Sequence, residues 1–309
     1  MKIAFMYAGQ GAQKVGMGQD LYENNRIFRE TLDRIDPDGS IKNLMFNGPI
    51  EELTKTSNTQ PAMAAFACAV TNILYSYNIK PDYSAGLSLG EYGALYAAGV
   101  FDEETYIKAL TFRGRAMEEA SAGLSFKMSA ILGLDSKVLE EVCAKVSQET
   151  GYVTVTNYNC TGQYVICGDE EAVNAAEVLA KEQGAKRALP LKVGGPFHSK
   201  YMKPAGDKLK TFFEGIVFND EQFPVIYNTK AAPKSENETI ADILVEQVQN
   251  PIHVEETILY LKEQGVDTII EIGPGKTICG FVKKTVEGMN AYAIEDVASL
   301  EEVICQMQS

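Results

Sequence analysis

A serine between two glycines, Gly86-Leu87-Ser88-Leu89-Gly90, stands where a short strand runs into a helix. In so tight a turn the residues two before and two after the serine press together, so side chains there would clash. The same turn lifts the hydroxyl toward the space faced by the next peptide N–H. That is the setting of a serine nucleophile; an ordinary strand-to-helix turn is the plain alternative. A serine at neutral pH needs a base, and the chain has only His198 and His253. His198, in Gly194-Gly195-Pro196-Phe197-His198-Ser199, falls at a junction between structural units, where a cleft belongs, and is the candidate base. His253 follows Pro251 at the start of a helix and reads as structural.

The helix expected over 102–120 carries the stripe Tyr106, Leu110, Arg113, Met117, a 4-3-4 spacing that points an arginine inward. Arg115 lies on the opposite face with Lys108, Thr111 and Glu119. A bare guanidinium costs several kcal/mol to bury, so Arg113 must meet a buried carboxylate, backbone carbonyls or an anionic ligand. A ligand carboxylate in the guanidinium fork is the functional reading; an internal salt bridge or a snorkelling side chain is the other. Gly9-Gln10-Gly11-Ala12-Gln13 follows the first strand and can bring a second peptide N–H, from Gln10, beside that of Leu89. Two such donors make an oxyanion hole. The Lys-Ser/Thr ending of a phosphate-binding loop is missing.

These residues need elements to carry them. Strands at 3–7 and 83–86 alternate with helices at 50–54, 61–77, 89–98 and 102–120, the order of a parallel sheet. From Phe126 the pattern becomes strand 128–134, helix 136–149, strands 152–157 and 163–167, helix 170–183 and strand 186–193. That is the βαββαβ order of a ferredoxin-like unit. Alternation then resumes with strand 224–228, helices 240–248 and 253–264, and strand 268–272. The expected fold is α/β: a large α/β-hydrolase-like domain with a short parallel sheet, residues 1–125 and 195–309, interrupted by a small ferredoxin-like subdomain, 126–194. The cleft should lie between them.

Composition narrows the partners. The chain has 309 residues, 45% hydrophobic and 23% charged, ample for a packed core and against disorder. Its formal charge of −14 repels phosphate backbones and anionic lipid surfaces, so neither nucleic acid nor membrane is an expected partner. Any anionic substrate must be held by individually placed cations, and there are only six arginines. Six scattered cysteines without a CxxC pair, and only two histidines, argue against zinc and for free thiols in a reducing cytoplasm. The short apolar start reads as a buried strand, and no run approaches a membrane span.

Taken together the motifs resemble the malonyl-CoA:acyl carrier protein transacylases of fatty-acid synthesis and the related acyltransferase domains of polyketide synthases. The resemblance spans nearly the whole chain. It rests on Gly9-Gln10-Gly11-Ala12-Gln13, Thr59-Gln60-Pro61-Ala62, Gly86-Leu87-Ser88-Leu89-Gly90-Glu91-Tyr92, Arg113-Gly114 and Asn157-Tyr158-Asn159, continuing through Pro196-Phe197-His198-Ser199, Pro224-Val225-Ile226 with Asn228, Gln247 with Asn250-Pro251, and Glu271-Ile272-Gly273-Pro274-Gly275. It implies Ser88 as the acyl-accepting nucleophile, His198 as its base, Gln10 and Leu89 as oxyanion donors, and Arg113 as the clamp on the malonyl carboxylate. It also implies that the backbone carbonyl of Gln247, in place of an acidic residue, orients the imidazole. Met117 and Phe197 match pocket positions that favour malonyl, and Asn157 and Asn159 match a motif at the cleft.

The reaction so implied moves malonyl from malonyl-CoA to the phosphopantetheine thiol of an acyl carrier protein through a Ser88 acyl-enzyme, by a monomer, with no cofactor. A stand-alone acyltransferase serving a polyketide synthase is the alternative. A serine thioesterase or hydrolase would instead need an acidic triad member between Ser88 and His198 in the chain, for which Asp169 is a candidate; a non-catalytic carrier-binding scaffold would need none of this machinery. The sequence departs from the family at Ala8, Leu87, Lys127 and Val254. Leu87 would alter the pocket floor, and Lys127 would mark a hinge or an acidic-partner contact. An acidic carrier would need a local basic patch, for which Lys181, Lys186, Arg187, Lys192, Lys200 and Lys203 are candidates.

Overall fold

The computed structural model describes residues 1–308. Among them are ten strands: β1 (Ile3–Tyr7), β2 (Tyr83–Gly86), β3 (Lys127–Leu132), β4 (Val153–Cys160), β5 (Gln163–Gly168), β6 (Arg187–Pro190), β7 (Val225–Ile226), β8 (Ile252–His253), β9 (Thr268–Ile272) and β10 (Asn290–Ile294). One sheet runs β10-β9-β1-β2-β7, every pair parallel. Its central strand buries Ala4, Phe5, Met6 and Tyr7 in succession, the unbroken apolar run that a parallel strand covered on both faces requires. Tyr7 pairs with Gly86 on one side and Ile272 on the other. The carboxyl ends of three strands therefore align, and the loops beginning at Ala8, Leu87 and Gly273 gather at one edge, where open parallel sheets hold their ligands.

The second sheet runs β6-β3-β5-β4-β8. Its pairs are antiparallel except β4 with β8, where Asn157 lies opposite Ile252. β8 comes from well beyond residue 194, so this sheet is completed by chain from the larger part. Its apolar core (Ile131, Leu139, Val142, Ile166 and Val173 among others) is distinct from the one around the parallel sheet.

Several element boundaries differ from the sequence reading. The helix expected from residue 61 begins at Thr56 and carries Pro61 inside it, near enough to its start that the missing N–H removes one bond without breaking the rod. The strand expected to reach Val193 stops at Pro190, and Leu191, Lys192 and Val193 line a cavity. Three helices the sequence reading leaves unassigned, Gln19–Asn24, Arg26–Ile35 and Ser40–Asn47, fill residues 19–47. Each is short, and the second starts on a cap of its own, Asn25 accepting from Ile27 and Phe28 N–H, so no long periodicity announces them. Lys127 pairs with Glu177 at 2.8 Å and donates to Asn174 Oδ1 at 2.7 Å, bridging β3 to the helix Glu170–Glu182. No described helix is long and apolar enough to cross a membrane.

Candidate active site

β2 ends at Gly86 and the helix Gly90–Ala97 starts four residues on. A Cβ on Gly86 would sit 2.0 Å from the Gly90 carbonyl carbon, and one on Gly90 would sit 2.2 Å from the Tyr7 carbonyl oxygen. Both contacts are with backbone that cannot step aside, so the two glycines are sterically required. Ser88 takes φ +56° at the apex, and His198 takes φ +59°. For residues with a Cβ this left-handed region costs about 1–2 kcal/mol each, and such strain persists only where the surroundings over-determine it.

The two side chains meet: His198 Nε2 lies 2.7 Å from Ser88 Oγ. The other ring nitrogen, Nδ1, lies 2.8 Å from the Gln247 carbonyl oxygen. A carbonyl can only accept, so Nδ1 carries the proton, Nε2 presents its lone pair, and the Ser88 hydroxyl donates to it. Burial, with the Arg113 charge second, pushes the imidazole down to about 4, which keeps it neutral at physiological pH. Asp169 has no part in this pair: it is held by Tyr201 Oη and accepts from Tyr152 N–H at 2.8 Å.

The helix Glu103–Ser121 starts on an Asp102 cap and buries Tyr106, Leu110, Arg113 and Met117, the stripe read from the sequence. Arg113 is fully buried. Its Nη2 donates to Ser88 Oγ at 3.1 Å and to Gln247 Oε1 at 2.8 Å, while Nε and Nη1 have no hydrogen-bond partner. The guanidinium also lies 5.5 Å from the centre of the Tyr92 ring, a cation–π contact. Burial lowers its pKa, opposed by Tyr92 and Glu91. Among the described residues no carboxylate salt-bridges it. Glu91, also fully buried, spends Oε2 on the Asn228 N–H at 2.5 Å and leaves Oε1 unpartnered; burial pushes its carboxyl up to about 8.

Ser88 and His198 open onto a cavity of about 260 Å³. Gln10, Leu87, Asn157, Asn159 and Phe197 also line it, as do Leu191, Lys192 and Val193 from the end of the shortened strand. The peptide N–H groups of Gln10 and Leu89 make no hydrogen bond within the described chain, and Asn159 Oδ1 is likewise unpartnered. Neither Arg113 nor Met117 is among the residues that line the cavity; Met117, one turn beyond Arg113 on the inward stripe, is buried and receives Gln60 Nε2 on its sulfur at 3.4 Å. His253 stacks on Tyr158 with ring centres 4.7 Å apart, a structural role. Of the basic candidates, Lys203 pairs with Asp207 and Lys200 covers the Tyr152 ring; Lys181, Lys186 and Arg187 form no ion pair among the described residues.

Two buried residues the sequence reading gives no role complete the floor. Asn228 accepts from Ser88 N–H and Glu91 accepts from Asn228 N–H. Glu91 is detectable as a carboxylate on a helix otherwise apolar all round; Asn228 carries no local signal. The assembly is a hydroxyl aligned on a neutral imidazole, two free peptide donors nearby, and a cation lacking an anion. Such a site can form and break an acyl-serine ester.

Residues 4–308 match the family described as acyl transferase domain. The malonyl CoA-acyl carrier protein transacylase of Bacillus subtilis (strain 168) is 43% identical over 305 residues, covering 98% of this chain and 96% of that protein. The protein of the same name from Staphylococcus aureus (strain MSSA476) is 37% identical, covering 97% of this chain and 99% of that one. Among solved structures, the MCAT of Streptococcus pneumoniae superposes with a TM-score of 0.93 at 42% identity, covering 99% of this chain and 100% of that chain. A malonyl-transacylase in complex with its type II PKS acyl-carrier protein gives 0.94 at 39% identity, with 99% and 100% covered.

Proposed function

The chain belongs to the acyl transferase domain family, and from that premise we propose that it is a malonyl-CoA:acyl carrier protein transacylase working through a Ser88 acyl-enzyme. One observation carries the mechanism: Ser88 Oγ donates to a neutral His198 while accepting from a buried Arg113 that has no carboxylate partner. The thioester carbonyl of malonyl-CoA lies over Ser88. His198 Nε2 takes the hydroxyl proton as Oγ attacks, and the oxyanion forms against the Gln10 and Leu89 N–H groups. The tetrahedral intermediate collapses, the C–S bond breaks, and the proton on His198 passes to the departing CoA thiolate. The phosphopantetheine thiol of the carrier then attacks the ester in the same sense, His198 taking its proton and returning one to Ser88. The malonyl carboxylate supplies the anion that Arg113 lacks, Phe197 bounds the acyl pocket, and Asn157 and Asn159 face the thioester arm. Met117 is the second residue we assign to that pocket.

The Gln247 carbonyl on Nδ1 supports transfer over triad hydrolysis, because no acid sits behind the base. The carrier of fatty-acid synthesis is the partner we assign; a polyketide carrier is the second reading, favoured by the likeness to the transacylase bound to such a carrier. Lys192 at the cavity, with Lys181, Lys186 and Arg187, offers cations to an acidic carrier. A core drawn wholly from residues 131–185 supports a division into residues 1–125 with 195–309 and a ferredoxin-like 126–194. The buried cysteines Cys68, Cys143, Cys160, Cys167 and Cys279 are free thiols, which suits the cytoplasm.

Incubation with malonyl-CoA is expected to add one malonyl group to the intact protein, and addition of holo carrier protein to remove it. Protein mass unchanged by malonyl-CoA would refute the reading. The base gives a second expectation. Only neutral imidazole accepts the Ser88 proton, and the activity is lost as pH falls through the His198 pKa of about 4. Single-turnover acylation should therefore stay flat from neutrality down to about pH 5 and decline below it. An acid limb centred near the ordinary histidine value would show that His198 is not held in this environment.

A further inference from the structure

The peptide units on either side of Ser88 are each gripped by a side-chain carboxamide. Ser88 N–H, in the unit before it, donates to Asn228 Oδ1 at 2.8 Å. Ser88 carbonyl, in the unit after it, accepts from Gln247 Nε2 at 2.7 Å. The second contact bears on chemistry through covalent geometry. A trans peptide is a rigid plane with C=O and N–H pointing opposite ways, so the Ser88 carbonyl and the Leu89 N–H turn together. Holding the carbonyl from below aims the N–H above. A donor on that carbonyl also polarises the same amide and strengthens its N–H.

Asn228 is itself tied down at every polar group. Its Nδ2 donates to the Gly86 carbonyl at 2.6 Å, its peptide N–H to Glu91 Oε2, and its carbonyl accepts from His253 N–H at 2.8 Å. Gln247 Nε2 also approaches Asn228 Oδ1 at 3.4 Å, linking the two carboxamides. Both residues are buried, and neither lines the cavity. Asn228 reaches the reaction through Ser88, whereas the Gln247 side chain also holds Arg113 Nη2 at 2.8 Å. The φ of +56° at Ser88 shows what they oppose: released, the residue would relax toward the ordinary regions, rotating both peptide planes and carrying Oγ away from His198.

We propose that the carboxamides of Asn228 and Gln247 are positioning groups for acyl transfer, locking the Leu87–Ser88 and Ser88–Leu89 peptides so that hydroxyl and oxyanion donor hold one shared orientation. This rests on the reading of Ser88 as nucleophile and Leu89 N–H as oxyanion donor.

The test uses Asn228→Ala and Gln247→Met. The second keeps the backbone carbonyl that orients His198 and much of the side-chain volume. Two rates are measured: acylation by malonyl-CoA across pH, and inactivation by a serine-directed fluorophosphonate. The latter needs the same hydroxyl and donors but no carboxylate clamp, and Asn228→Ala leaves the Gln247–Arg113 contact in place, so a fall in both rates there is not owed to the clamp. Both rates are expected to fall roughly 10- to 1,000-fold. KM for malonyl-CoA should stay within about threefold, with the acid limb unmoved. Rates within about twofold of the parent in a folded variant, or a change confined to KM, would overturn the proposal. If Asn228→Ala does not fold, Gln247→Met decides. Parent protein that takes no malonyl group sinks the acyl-transfer reading itself; parent and variants labelled equally fast sink only the positioning role.

Discussion

Ser88→Ala is expected to lower malonyl transfer by about four to six orders of magnitude, the scale seen when a serine nucleophile is removed from an intact site. The substitution deletes a single oxygen, which donates to His198 Nε2 and accepts from Arg113 Nη2. Alanine can occupy the same left-handed backbone at about the cost serine already bears, and the anchors on the adjoining peptides remain. The fold should survive, as checked by circular dichroism. Intact mass after exposure to malonyl-CoA, with transfer to the carrier, reads the outcome. A folded variant that still accumulates a malonyl adduct would move the nucleophile elsewhere.

Arg113→Ala is expected to lose about 2–5 kcal/mol of malonyl-specific stabilisation, since it removes one partner of a sheltered charge pair. That corresponds to roughly 30- to several-thousand-fold in malonyl transfer. The direction of selectivity matters more than the loss. In the parent, an acetyl group would leave the guanidinium without an anion in a pocket where it already has two unpartnered donors; in the variant that penalty vanishes. The ratio of malonyl to acetyl transfer should collapse, and relative reactivity with acetyl-CoA should rise. Competition between the two thioesters, read as acyl-enzyme mass, measures it. An unchanged ratio would remove Arg113 from substrate recognition. Because the guanidinium also packs on Tyr92 and bonds Gln247, a melting curve accompanies the measurement.

Much of the site was legible because its strongest demands are local. The Ser88 turn needs Gly86 and Gly90 on steric grounds, and the contacts at 2.0 and 2.2 Å bear that out. Arg113 was legible because one charged residue breaks an otherwise apolar helical stripe, a pattern with few physical resolutions. The shortened strand at Pro190 was not legible: the residues after it read equally well as extended chain in a sheet or along a cavity wall. Helical periodicity puts Met117 on the inward stripe, and its place at the acyl pocket comes from the family likeness alone.

Residue types and their spacing settled the chemical inventory: a hydroxyl raised on a glycine-flanked turn, one base suited to it, and an inward cation wanting an anion. Tertiary structure alone decided what each touches. Ser88 meets Arg113, Asn228 and Gln247 across separations of 25 to 159 residues. Such contacts depend on how sheet edges and helix ends are brought together, and no short window of sequence encodes them. The roles of Asn228 and Glu91 belong wholly to that second kind, for a carboxamide or carboxylate acquires a function only from the backbone groups the fold sets against it.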